Sequence, residues 1–184
     1  LQGLAGPLSK EQTKQLGMVQ GSAHHLLELI NDVLDISKIE AGEIEIDLKT
    51  FDVREAIEHA VQKMIPLAEK KGLALNIAVA PEAGSITSDP RRFEQILINL
   101  VNNAVKFTER GEVRIECRLS EDRLVTSVKD TGIGIKPEDL DKLFTAFHQL
   151  DAGLSRRQEG SGLGLSICKK LVALLGGDIR VEST

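Results

Sequence analysis

Apolar positions near the start of the chain recur at alternating spacings of three and four: Leu16, Val19, Ala23, Leu26, Ile30 and Val33. That is the a/d seam of an amphipathic helix, and Leu27 and Leu34 widen it toward a bundle face. Ser9 followed by Gln12 predicts a capping box, with Pro7 just before it, and Ala41-Gly42 predicts the stop. The helix so defined has roughly 30 residues and is ~45 Å long. One helix cannot bury such a stripe, so the pattern calls for partner helices from an N-terminal region, another subunit, or both. His24 and His25 flank the seam about 100° apart, with no carboxylate at the next position, and read as packing or solvent residues, not phosphoacceptors.

Beyond Gly42 the period changes. Ile44, Ile46 and Leu48 alternate as a half-buried strand. Asp52 with Glu55 opens a helix carrying Val53, Ala56, Ile57, Ala60, Val61 and Ile65, which ends near Gly72. Leu73–Val79 reads as a second strand closed by Pro81, and Asp89-Pro90 as a helix start with an N-cap carboxylate and proline at N1. Glu112–Leu119 and Leu124–Asp130 form a predicted hairpin around Ser120-Glu-Asp122. Pro137–Phe144 reads as a short helix, Thr145–Ser161 as a long loop, Leu163–Leu175 as the last helix and Asp178–Glu182 as a strand. Strand and helix follow one another without regular β-α-β alternation, which predicts a layered α+β sandwich instead of a doubly wound sheet.

The charge of −5 over 184 residues argues against nucleic acid as a partner, because that partner demands a basic surface. Cys117 and Cys168 have no metal-ligand spacing and read as structural thiols of a reducing compartment. No apolar run approaches the ~20 residues of a membrane span, and no signal peptide is evident, so no membrane contact is expected of this piece.

Three motifs carry the chemistry. On the helix after Pro90, within Asn99-Leu-Val-Asn-Asn-Ala-Val-Lys-Phe-Thr108, Phe93, Ile96, Leu97, Leu100, Val101 and Ala104 make the core stripe. Asn99, Asn103 and Lys106 fall within ~60° of each other on roughly the opposite face, with Asn102 close by. Asparagine is a mediocre helix former, and such a stripe is either a solvated face or a ligand face. As a ligand face, amide oxygens suit a hard cation such as Mg²⁺ and Lys106 suits phosphate. Asp130-Thr-Gly-Ile-Gly-Ile135 ends a strand in a carboxylate that can accept from an adenine amino group, followed by two glycines that let backbone pass close to a flat ring. Gly160-Ser-Gly-Leu-Gly-Leu165 turns a loop into a helix, where bare N–H groups favour an anion. Each turn alone also fits an ordinary bend. The glycines match neither the dinucleotide fingerprint, since Pro137 stands where the third glycine belongs, nor the Lys-Ser/Thr phosphate loop.

Together these residues resemble the catalytic core of sensor histidine kinases. The ATP domain of those kinases belongs to the class shared with type II topoisomerase, heat-shock chaperone and mismatch-repair ATPases (GHKL, or Bergerat, type). Asn99–Thr108 is similar to the asparagine box, Asp130–Ile135 to the first glycine box and Gly160–Leu165 to the second. Leu143-Phe-Thr-Ala-Phe-His-Gln149 resembles the phenylalanine box before the lid, with Ala146 where proline is frequent. Val33–Gly42 looks like the end of the second helix of the dimerisation hairpin.

The resemblance implies residues 1–42 as a partial dimerisation and phosphotransfer helix, and 43–184 as an α+β ATP-binding domain that stops before the closing glycine turn and final strand. It implies Mg²⁺ on Asn103, with Asn99 supporting phosphates or metal, Lys106 on phosphate and Phe107 lining the site. Asp130 would take the adenine amino group. Gly132, Gly134 and Ile135, and the turn Gly160, Ser161, Gly162, Leu163, Gly164 and Leu165, would shape the base and phosphate sites. Arg156 and Arg157 would be lid contacts to the polyphosphate. In the hydrolytic members a water-activating glutamate stands at the position of Asn99, and asparagine cannot serve as that base. The set therefore implies ATP and Mg²⁺ as cofactors and transfer to a histidine for relay to the aspartate of a response-regulator receiver domain. It further implies a homodimer through the N-terminal helix and a cytoplasmic location, the parent protein being membrane-anchored or not. The phosphoacceptor histidine box does not occur in the chain, so no catalytic residue is assigned and autophosphorylation of this chain alone is not expected. A hydrolytic ATPase and a non-catalytic nucleotide-binding dimerisation module are the alternatives.

Overall fold

The computed structural model describes residues 6–148 and 161–183, the side chain of His24 excepted. Helix α1 (Lys10–Glu40) starts with the predicted reciprocal cap: Ser9 Oγ accepts from the Gln12 N–H at 3.2 Å, and Gln12 Oε1 from the Ser9 N–H at 2.9 Å. It is followed by β1 (Lys49–Asp52), α2 (Val53–Gln62), α3 (Ile65–Lys71) and β2 (Ala74–Val79). A 3-10 turn (Pro81–Ala83), β3 (Ser85–Ser88), α4 (Pro90–Phe107), β4 (Glu112–Ser120) and β5 (Arg123–Asp130) come next, then α5 (Pro137–Leu140) and α6 (Gly164–Leu174).

The main sheet has the order β2-β4-β5, with β2 parallel to β4 and β4 antiparallel to β5. β1 and β3 form a separate antiparallel ribbon. The β4–β5 hairpin turns through Glu121 and Asp122, both at positive φ, the two-residue turn whose twist suits a hairpin. Helices α2 and α4 cover one face of the sheet. Val53 and Ile57 of α2, Val101 and Val105 of α4, and Val113 and Ile115 of β4 are fully buried between the layers. Each such side chain contributes about 1.5–3 kcal/mol by leaving water. A second, smaller core lies on the other flank of α4, where Ile96 meets Leu163, Ile167, Cys168 and Leu171, with Ile36 and Ile39 of α1 packed against them. Helix α4 is thus shared by both cores, and a two-layer α+β fold results.

Four sequence expectations need correction. Ile44, Ile46 and Leu48 do not form a strand; β1 begins at Lys49, because Ile44 turns into the second core and the Asp47 N–H is taken by the Asp89 carboxylate. The helix expected from Asp52 to Gly72 is two helices, with Pro66 at the start of the second, where its missing N–H would otherwise break the ladder. The helix at Pro137 lasts only to Leu140 before turns take over. Asp178–Glu182 has extended pattern but carries no ladder, since β5 pairs only with β4 among the described residues.

Candidate functional site

Helix α4 is anchored at both ends. Asp89 is only 3% exposed; its Oδ1 accepts from the N–H groups of Arg91 (2.9 Å) and Arg92 (3.1 Å), and its Oδ2 from that of Asp47 (3.1 Å). Burial pushes its pKa up, but these three hydrogen bonds outweigh that and hold the carboxyl below its ordinary range. At the far end, Lys71 Nζ donates to the carbonyls of Val105 (2.8 Å), Lys106 (2.7 Å) and Thr108 (3.3 Å), a cation on the bare C-terminal carbonyls. With Leu97, Val101, Ala104 and Val105 buried against the sheet, Asn99, Asn103 and Lys106 lie half-buried on the helix. Burial, and Lys71 nearby, lower the pKa of Lys106, whose ammonium stands 5.1 Å from the centre of the Phe107 ring.

The first glycine turn is docked on the C-terminal end of α4. Asp130 Oδ1 accepts from the Gly132 N–H at 2.8 Å, and the Ile133 N–H reaches the Phe107 carbonyl at 3.4 Å. A Cβ on Gly132 would lie 2.6 Å from both that carbonyl oxygen and Asp130 Oδ1, so only glycine fits. Ile135 donates its N–H to Ser183 Oγ at 2.8 Å, which ties the turn to the end of the chain.

The second glycine turn is docked nearer the middle of α4. Gly162 has φ +68°, its carbonyl accepts from the Phe147 N–H at 3.1 Å, and a Cβ there would come within 3.0 Å of the His148 carbonyl oxygen. Gly164, the first residue of α6, faces the Asn99 amide, with 3.5 Å from an added Cβ to Oδ1. Cys168, one turn further along α6, donates its thiol proton to the Ile96 carbonyl at 3.8 Å, and burial pushes the thiol up to about 12. Ser161 Oγ accepts from the Leu163 N–H at 3.1 Å and donates to Asp32 Oδ2 on α1 at 2.9 Å.

The three predicted motifs therefore meet on one helix. Asn99 touches the second turn and Phe107 the first, eight residues or ~12 Å apart along α4, a span one nucleotide can bridge. Arg156, Arg157 and Gly160 lie outside the described residues, as does Gln149. Lys71, Asp32 and the contact of Cys168 with the Ile96 carbonyl had no signal in the sequence. Each is a long-range partner on an element whose own pattern is unremarkable. Among the described residues no cluster of three or more His, Cys, Asp or Glu side chains is placed to hold a metal, so a cation here would rely on amide oxygens and on its ligand's own oxygens. No helix among the described residues is long and apolar enough to cross a membrane.

Comparison with known proteins adds names to this geometry. A family described as histidine kinase-, DNA gyrase B- and HSP90-like ATPase matches residues 88–184. The hybrid signal transduction histidine kinase L of Dictyostelium discoideum is 45% identical over 183 residues, covering 96% of this chain and 11% of that relative. The chain thus spans about a tenth of that curated relative. Full-length ShkA, solved in complex with AMPPNP, superposes with a TM-score of 0.81 at 34% identity over 97% of this chain and 38% of that one. ThkA, solved in complex with the response regulator protein TrrA, shares the fold, with a TM-score of 0.70 at 21% identity over 98% of this chain and 51% of that one.

Proposed function

The chain belongs to the family of histidine kinase-, DNA gyrase B- and HSP90-like ATPases as an ATP-binding catalytic domain of the histidine kinase kind, and from that premise we propose how its residues serve phosphoryl transfer. The carrying observation is the convergence of both glycine turns on α4, at Phe107 and at Asn99.

Asp130 uses Oδ1 to fix its own turn, and its second oxygen is the acceptor for the adenine amino group. Gly132, Gly134 and Ile135 bring backbone against the base, beside Phe107. Asn103 offers an amide oxygen to Mg²⁺, with Asn99, which faces Gly164, as the second amide at the phosphate end. These neutral donors fit the metal: they ligate through oxygen without cancelling its charge, which bound Mg²⁺ would spend on the phosphates. Lys106, the second turn from Gly160 to Leu165, and Arg156 and Arg157 complete the polyphosphate site. Asn99 orients and does not take a proton, so water is not activated and the γ-phosphoryl group passes to a protein histidine.

Residues 1–42 serve as part of the dimerisation helix and 43–184 as the catalytic domain. The seam of α1 supports this, because Val19, Leu26 and Leu34 are each at least half exposed in one chain. A homodimer through α1, relay to a response-regulator receiver domain and a cytoplasmic setting complete the reading. Titration with a fluorescent ATP analogue tests it. The native chain binds in the presence of Mg²⁺, and Asn103→Ala loses at least tenfold of the Mg²⁺-dependent affinity; an unchanged curve removes the assignment. Labelled ATP leaves no acid-labile label on the chain alone but does label an added helix bearing the histidine box.

A further inference from the structure

The catalytic layer is held to the C-terminal half of α1 by polar contacts around one acidic stretch. Ser161 Oγ donates to Asp32 Oδ2 at 2.9 Å, Gln95 Nε2 donates to Asp35 Oδ2 at 2.7 Å, and Lys170 pairs with Glu40 at 2.6 Å. Ile36 and Ile39 pack beneath them against the second core. Of these contacts only the first reaches into a nucleotide motif. A serine hydroxyl has one proton to donate. In this structure that proton goes to Asp32, while the hydroxyl's lone pair already receives the Leu163 N–H. A phosphate oxygen arriving at the second glycine turn needs the same proton, and Asp32 presents a negative charge where the phosphates would lie. The carboxylate is partly desolvated and has Asp35 and Glu28 as like-charged neighbours, with His25 as the opposing group, so it is already ill-suited to a second anion.

We propose that Asp32 competes with the nucleotide's phosphates for the Ser161 hydroxyl, so that docking of α1 on the catalytic layer and binding of ATP oppose each other. This rests on the reading of the second glycine turn as a phosphate site. The coupling is reciprocal: ATP loosens the α1 contact by the same factor that the contact weakens ATP. The device releases the catalytic layer from its resting place on α1 when nucleotide is present, leaving it free to approach an acceptor.

The test uses the whole chain labelled at Ser22 on α1 and Glu109 beyond α4, both exposed, each replaced by cysteine. Cys117 and Cys168 are buried and stay unlabelled. Labelled chain is diluted into excess unlabelled chain, and spin-label distances are measured with and without the non-hydrolysable analogue AMPPNP and Mg²⁺. Nucleotide lengthens or broadens the native distance, Asp32→Ala shows the broadened distribution without nucleotide, and its AMPPNP affinity rises on the order of fivefold, at the low end of allosteric couplings. Glu11→Gln, which removes a charge far along α1, changes neither. A flat titration of the native chain overturns the phosphate reading and the competition with it. Native binding accompanied by an Asp32→Ala distance and affinity equal to the native ones overturns the competition alone.

Discussion

The two glycine turns meet the same helix and are held in different ways. The first is closed on itself: the Phe107 carbonyl, the Asp130 carboxylate and the Gly132 N–H meet with no room for a single methyl. The second is held by the Phe147 N–H on the Gly162 carbonyl and, from α1, by Asp32 on the Ser161 hydroxyl. The contacts that close the first turn come from β5 and α4 of the main layer, whereas one contact of the second comes from α1 and changes if that helix moves. In the proposed reading of the site, the base end is thus the more tightly fixed and the phosphate end the one open to regulation.

Breaking the rigid turn has the largest effect. Gly132→Ala puts a Cβ into the Phe107 carbonyl, and overpacking against backbone costs about 1–3 kcal/mol. Thermal unfolding reads that loss, and ATP-analogue binding falls below detection. At the second turn Gly162→Ala forces a side chain into a left-handed conformation beside the His148 carbonyl, at a cost of about 1–2 kcal/mol. Stability drops by that amount while weak nucleotide binding survives, because the base end is untouched.

The buried thiol of Cys168 gives a pH dependence. Burial raises the Cys168 pKa to about 12, so the folded chain keeps a proton that the unfolded chain loses near its ordinary value of about 8.5. Stability from this group is complete below that value and falls as pH rises toward 12, by about 1 kcal/mol between pH 8.5 and 9.5. Burial raises the Cys117 pKa as well, in the same direction. Denaturant melts of native chain and Cys168→Ala across that range show a smaller alkaline loss in the variant. Smallest of all is Gly164→Ala. Its Cβ meets Asn99 at ordinary contact distance, so melting shifts by less than about 1 kcal/mol, and any change appears in phosphate affinity.

Much of this was legible from the chain. The capping box at Ser9, the Asp89-Pro90 start and the hairpin through Glu121-Asp122 are local events, decided within a few residues by hydrogen bonds the sequence itself spells out. The face of α4 that carries Asn99 and Asn103 followed from its period. The alternation of Ile44, Ile46 and Leu48 misled, because alternation shows which side chains share a face and says nothing of a partner strand. The split at Met64 was signalled by Pro66, yet the apolar pattern ran through it.

What the sequence determined by itself is the set of elements, their caps and the chemistry each motif can offer, since these depend on contacts a few residues long. Only the tertiary structure decided that Phe107 would receive one glycine turn and Asn99 the other, and that Asp32 would reach Ser161 across 129 positions of chain. Those contacts depend on how two hydrophobic cores share α4. That is a property of packing, and no local pattern encodes it.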